Sequence, residues 1–210
     1  ALIRKVASTG KPVIISTGAT EWDEVASLVE VFKATGNTDL TLLVCTSSYP
    51  ADPADAHIAR MKTLLDAFNV KVGLSDHTLG IGVSIAAIAL GATAIEKHIT
   101  IKRSDGGADS AFSMEPHEFG ELVVQGNFAF QSVGSGHWAI NESEKESRRL
   151  RRSLYIVKDV QAGELATPEN IRAIRPGFGA SPSILSNVLG KTFLKDCDKG
   201  MPFEINMVEN

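Results

Sequence analysis

Four apolar segments, each followed by a polar cluster, recur in the first half of the chain. They span residues 12–16, 40–45, 70–74 and 92–95. Little alternation of polar and apolar residues is typical of parallel strands that are covered on both faces. Apolar residues at helical spacing predict intervening helices over 21–35 and 53–68, and the glycine-bounded run 80–91 predicts a third. The repeat of roughly 25–30 residues is close to one eighth of a (β/α)8 barrel, so it predicts an α/β fold with half of such a barrel.

The polar clusters fall at the carboxyl ends of the predicted strands, where α/β enzymes place their chemistry. His77 follows the third strand and His98 follows the fourth. A helical connection makes these strands parallel neighbours, which places the two histidines at the same edge, about 5 Å apart in the pairing direction. Two imidazoles at that spacing can hold one divalent metal and leave other coordination positions open for a substrate.

The last third of the chain has a different pattern. Residues 134–148 are rich in Gly, Ser and Glu and predict a linker. Beyond them, the run 157–163 is echoed by 194–200, which predicts a small β-rich domain with an internal pseudo-twofold repeat. The predicted organisation is therefore half of the barrel over 1–133, then the linker over 134–148, then a second domain over 149–210. Four arginines within 148–152 form either a solvated face or an anion-facing surface.

Composition narrows the class of protein. The chain has 210 residues and a net charge of −4, so we expect no broad basic surface of the kind that binds nucleic acid. It contains no apolar run long enough to span a membrane and no secretory signal. Its two cysteines favour a reducing compartment, so we expect a cytoplasmic protein that binds neither nucleic acid nor membrane. The chain opens without Met in a helix-like segment, which we interpret as a start within a longer fold.

Four motifs, taken in order, resemble the sialic acid synthase family: GKPVIISTG at 10–18, CTSSYP at 45–50, GLSDHT at 73–78 and IEKHIT at 95–100. Within that family, the loop RSDGGADSAFSMEP at 103–116 is most similar to the pseudaminic acid synthases. The second domain, with its Arg-Pro-Gly at 175–177, resembles the antifreeze-like (SAF, β-clip) domain of the family. The resemblance implies a TIM barrel, seen here as its C-terminal half, followed by a SAF domain.

The resemblance also implies a reaction. Phosphoenolpyruvate would condense with an open-chain acetamido sugar, with 2,4-diacetamido-2,4,6-trideoxy-altrose favoured, to give pseudaminic acid and phosphate. A divalent metal would assist, with manganese favoured over magnesium or cobalt, and the protein would be a homodimer that exchanges SAF domains. The family draws lysines and an acidic residue from the first four barrel strands. These are absent from the sequence, so we expect the 210-residue chain alone to be inactive.

The family's site residues carry over position by position. His77 and His98 match its metal ligands, and both are assigned catalytic roles through that metal. Substrate-binding positions of the family are matched by Ser16, Ser47, Tyr49, Ser75, Asp109 and Arg175. Arg175 would reach the active site of the other subunit. Ser16 has a competing interpretation as the cap of the predicted helix 21–35.

Three alternatives remain open at this point. The sugar could be the precursor of neuraminate or legionaminate. A metal-dependent class II-like aldolase would need both histidines but not phosphoenolpyruvate. A non-catalytic carbohydrate- or ice-binding protein would be built around the last sixty or so residues, although the charges in that stretch, Arg172 and Lys191 among them, argue against an ice-binding face.

Overall fold

The computed structural model describes residues 1–209, and the chain divides into two compact units between Gly136 and His137. The first unit alternates strands and helices, whereas the second is built from short strands, bridges and turns. Within residues 1–209, no helix is both long enough and apolar enough to cross a lipid bilayer.

The first unit contains a parallel sheet of four strands in sequential order. The strands are β1 (Val13–Ser16), β2 (Leu40–Cys45), β3 (Lys71–Asp76) and β4 (Ile95–Lys97). All six residues of β2 are buried, as expected of an inner strand covered on both faces. The predicted α/β fold with four strand–helix units of a barrel is confirmed, and a small β-rich unit follows it in the chain. Strand β4 begins three residues later than the sequence predicted, at Ile95 instead of 92, whereas β1 and β3 each begin one residue later.

Helices follow each of the four strands, and one precedes them. They are α1 (Leu2–Ala7), α2 (Trp22–Lys33), α3 (Arg60–Phe68), α4 (Gly82–Ala89) and α5 (Pro116–Val133). The continuous helix predicted over 53–68 is wrong. A 3-10 turn spans Pro53–Asp55, and α3 starts only at Arg60 because the intervening His57 has a positive φ of 41°, which no right-handed helix accommodates.

A hydrophobic core joins the helices to the sheet in the first unit. Phe32 of α2 and Met61 of α3 are buried against Leu42 of β2 and Leu74 of β3. Burial of such side chains stabilises a fold by about 1.5–3 kcal/mol each. This packing holds the sheet rigid, so the residues that follow each strand start from fixed positions.

The second unit reproduces the internal repeat seen in the sequence. Its elements are α6 (Lys145–Arg149), the antiparallel pair β5 (Ser153–Ile156) and β6 (Ile171–Ile174), and α7 (Leu185–Val188). Helix α6 and a 3-10 turn at Glu142–Glu144 lie in the segment predicted as a linker over 134–148. Val160 and Cys197, which occupy the same place in the two copies of the repeat, exchange both backbone hydrogen bonds.

The two copies also brace each other through equivalent aspartates. The Asp159 carboxylate accepts from the Lys199 amide at 2.6 Å, and the Asp196 carboxylate accepts from the Ala162 amide at 2.8 Å. These two bonds are related by the repeat, so the pseudo-twofold arrangement extends to side chains. A core of its own, which includes Leu154, Ile156, Phe193 and Phe203, lies inside this unit.

Candidate active site

Two histidines lie side by side at the carboxyl edge of the sheet. His77 directly follows β3 and His98 directly follows β4, and their ring centroids are 5.2 Å apart with an interplanar angle of 68°. The His77 residue is only 8% exposed, whereas the His98 side chain is about one third exposed. The parallel register therefore brings together the two residues that the sequence singled out.

The hydrogen bond of His77 determines its tautomer. Its Nδ1 lies 2.9 Å from the Thr46 carbonyl oxygen. Because a carbonyl can only accept, Nδ1 must donate, and a neutral His77 then carries a lone pair on Nε2. A backbone partner on one ring nitrogen is how metal-ligating histidines are commonly oriented.

The pair fits a shared divalent ion. With metal–nitrogen bonds of about 2.1 Å, two imidazoles around one tetrahedrally disposed ion have ring centres about 5 Å apart, and the observed separation agrees. In the described part of the chain, no group of three or more His, Cys, Asp or Glu side chains forms a metal-binding cluster. The two histidines leave coordination positions open, which substrate or water oxygens can fill.

Asp109 lies on the outer side of His98. Its Oδ2 is 3.6 Å from His98 Nδ1, beyond normal hydrogen-bond range, and its side chain is 59% exposed. The carboxylate is thus held near the histidine and remains free to accept hydrogen bonds from a ligand.

Two aromatic rings line the histidine pair. The Tyr49 centroid is 4.3 Å from that of His77, and the Phe112 centroid is 5.0 Å from that of His98. Tyr49 and Phe112 are themselves 5.6 Å apart, which makes a continuous apolar wall. The sequence analysis identified Tyr49 but missed Phe112. The position of Phe112 as the single aromatic residue in the polar loop 103–116 could have marked it as a candidate.

Ser75 lies beneath the histidines and is paired across the sheet. It faces Glu96 in the β3–β4 register, and its Oγ donates to Glu96 Oε1 at 2.7 Å. Glu96 is therefore the partner of Ser75. Ser75 is buried, so its hydroxyl has a fixed orientation.

Ser47 is exposed in the loop after β2, and the loop after β1 lies directly against it. A Cβ on Gly18 would come within 2.3 Å of Ser47 Oγ and 2.8 Å of Cys45 Sγ. Only glycine permits this approach, which joins the first two strand ends into one surface.

Two further predicted residues belong to other elements of the chain. Ser16 is exposed at the end of β1, and its interpretation as a helix cap is wrong because Glu21 is the N-cap of α2, in a capping box with Glu24. Arg175 follows β6 in the second unit, where it is exposed.

The loop that carries Asp109 and Phe112 is anchored to α5. The Arg103 guanidinium donates to both carboxylate oxygens of Glu118 and to the Ser113 carbonyl. The hydrogen bond from Arg103, together with one from the Glu115 amide, lowers the pKa of Glu118 to about 2, and the pairing raises the pKa of Arg103. This ion pair keeps the loop closed over the α5 N-terminus.

Comparison with known proteins places this site in a family. The model of the NeuB family matches residues 1–138, and that of the SAF domain matches residues 151–209. The chain belongs to the NeuB family. The histidines, Ser75 and the aromatic wall all lie within the part that matches this family.

Individual relatives in the family act on different sugars. A pseudaminic acid synthase from Campylobacter jejuni is 38% identical over 94% of this chain and 58% of its own length. An N,N'-diacetyllegionaminic acid synthase from the same species is 36% identical over 92% of this chain and 59% of its own length. The crystal structure of an N-acetylneuraminic acid synthetase from Leptospira borgpetersenii is 35% identical, with a TM-score of 0.65 over 70% of this chain and 51% of that one. The chain therefore spans less than two thirds of the length of each of these relatives.

Proposed function

We propose that the protein condenses phosphoenolpyruvate with an open-chain 2,4-diacetamido-2,4,6-trideoxy-altrose to give pseudaminic acid and phosphate. The observation that carries the proposal is the His77–His98 pair, oriented for a shared ligand at the strand ends of a NeuB-family chain. A bound divalent ion, with manganese favoured and magnesium or cobalt as alternatives, would stabilise negative charge on the sugar's aldehyde oxygen.

The residues of this chain then divide between the two substrates. Ser47 would donate a hydrogen bond to phosphoenolpyruvate, Ser16 would add a second hydroxyl at the same edge, and Ser75 would contact the same substrate. Ser75 has a single O–H, which donates to Glu96 Oε1 in the structure, so it would donate to phosphoenolpyruvate only by exchanging that partner for the substrate.

The sugar would lie against the aromatic wall. Tyr49 can pack against the sugar and donate through its hydroxyl, while the Asp109 carboxylate accepts from sugar hydroxyls. Arg175 would supply a guanidinium from the SAF domain of a second subunit, which requires a homodimer with exchanged domains. Guanidinium donors in fixed geometry suit N-acetyl and hydroxyl oxygens.

Phosphate release from phosphoenolpyruvate tests the proposal. The full-length protein is supplied with Mn²⁺ and either the diacetamido altrose or N-acetylmannosamine. We expect release with the first sugar only and its loss in His77→Ala. The 210-residue chain alone is expected to release none. Release only with N-acetylmannosamine or with the legionaminate precursor would keep the family and overturn the sugar assignment.

A class II-like aldolase is the second candidate, because it uses the same pair of histidines. It would form product without consuming phosphoenolpyruvate. Product that accumulates in the absence of this cosubstrate would therefore refute the synthase proposal.

A further inference from the structure

A buried ion pair lies immediately behind the two histidines. Lys97 Nζ is 3.0 Å from Asp76 Oδ2, and the two side chains are 2% and 1% exposed. Asp76 and Lys97 face each other directly in the β3–β4 register. Charged side chains are rarely removed from water this completely, because desolvation is costly unless each charge is fully paired.

The surroundings satisfy both charges. The Asp76 carboxylate accepts four hydrogen bonds, from the amide and hydroxyl of Thr78, from Ser84 Oγ on α4 and from Lys97. Lys97 also donates to the Thr78 carbonyl at 2.7 Å. Asp76 and Thr78 are the chain neighbours of His77, so the network holds the backbone on both sides of that histidine.

The strand pleat relates this network to the site. Successive residues of a strand point to opposite faces, so Ser75 and Glu96 lie on one face and Asp76 and Lys97 on the other. The next residue after Asp76 is His77, and the next after Lys97 is His98. A bond between Asp76 and Lys97 therefore fixes the ends of β3 and β4 one residue before each imidazole.

We propose that Asp76 and Lys97 are positioning residues that set the separation of His77 and His98 for a shared divalent cation. The inference rests on the proposed metal role of the histidines. Neither residue touches the cation. Their effect passes through the backbone of β3 and β4, so loss of the pair lets the imidazoles separate while the fold and the ligands remain.

The test measures Mn²⁺ affinity by electron paramagnetic resonance on the full-length protein. Lys97→Met removes one charge of the pair and keeps much of the side-chain volume. We expect it to weaken Mn²⁺ binding by about 10- to 100-fold, the usual effect of losing a group that orients metal ligands. Lys97→Arg keeps the charge and is expected to restore affinity to within a few fold.

The chain offers a matched control at the other end of β3, the strand that carries Asp76. Lys71, the first residue of β3, pairs with Asp39 at 3.0 Å, but the two side chains are 60% and 42% exposed. Lys71→Met should leave Mn²⁺ affinity unchanged. The visible absorption of bound Co²⁺, which reports ligand geometry, should change in Lys97→Met and stay the same in Lys71→Met.

A folded Lys97→Met protein with wild-type Mn²⁺ affinity and an unchanged Co²⁺ spectrum would overturn the inference while leaving the metal site intact. A wild-type protein that binds neither ion would overturn the proposed metal role itself. If Lys97→Met does not fold, Asp76→Asn decides the matter, because it removes the other charge of the pair and keeps the shape of the side chain. Weakened Mn²⁺ binding in that variant supports the inference, and wild-type affinity refutes it.

Discussion

Gly73 lies in the middle of β3, where the backbone of the next strand comes unusually close. A Cβ at this position would be 2.3 Å from the Ala94 carbonyl oxygen and 2.7 Å from a methyl group of Leu43. The same carbonyl accepts the hydrogen bond from the Leu74 amide at 3.0 Å. Gly73→Ala should therefore crowd the chain at the entry to β4 and strain this bond at once.

The size of the effect follows from these distances. Ordinary contact with a Cβ begins at 3.4 Å, so the Ala94 carbonyl would have to retreat by about 1 Å. Its distance to the Leu74 amide then approaches 4 Å, outside hydrogen-bond range. A buried hydrogen bond lost in this way costs about 1–3 kcal/mol, and overpacking a core costs a similar amount. We expect Gly73→Ala to lower the free energy of unfolding by about 2–4 kcal/mol.

Urea unfolding followed by far-UV circular dichroism measures this change. Gly120→Ala is the matched control, because Gly120 lies inside α5 and its added methyl group would meet nothing within 4 Å. Alanine in a helix interior should stabilise by about 0.5–1 kcal/mol relative to glycine. Equal unfolding midpoints for Gly73→Ala and the wild type would refute the close-approach argument.

Three further predictions concern stability and thiol chemistry. Phe203→Ala empties a fully buried position and should lower the free energy of unfolding, measured in urea, by about 3–5 kcal/mol. Phe178→Ala, at a position 64% exposed, should lower it far less, and equal losses would contradict the assigned core. Because the pKa of Glu118 is lowered to about 2 by Arg103, its stabilising effect is complete above its ordinary value of 4.5 and disappears as the pH falls towards 2. Glu118→Gln should flatten the unfolding free energy across that window, and an unchanged slope would refute the ion pair. Burial raises the pKa of the Cys197 thiol, so at pH 8 the native thiol should react with Ellman's reagent far more slowly than the urea-unfolded one; equal rates would contradict its burial.

The strand–helix repeat was readable from the sequence because it depends on local patterns. Apolar runs without alternation located all four parallel strands, and the polar residues after them located the histidine edge. The break before α3 was not readable, since the left-handed backbone of His57 reflects a turn set by tertiary structure. The late start of β4 likewise depends on tertiary structure, which the local sequence pattern does not show.

The sequence named the candidate residues of the site, but it did not predict the contacts that hold them in place. The sequence predicted that His77 and His98 lie together at one edge of the sheet, but it did not predict the partners of Glu96 and Lys97. Which partner each would find depends on the register of β3 against β4, which places Glu96 opposite Ser75 and Lys97 opposite Asp76. Phe112 was missed because a loop gives no periodic signal from which its packing on His98 could be inferred.

The central claim is that the histidine pair supports a metal-assisted condensation of phosphoenolpyruvate with an acetamido sugar. The most direct measurement is the stoichiometry of products formed by the full-length protein from phosphoenolpyruvate and the diacetamido altrose, by mass spectrometry and phosphate assay. The account predicts equal amounts of phosphate and a nine-carbon keto acid, both abolished by a chelator and restored by Mn²⁺. Formation of pyruvate without that acid, or turnover that is insensitive to the chelator, would contradict it.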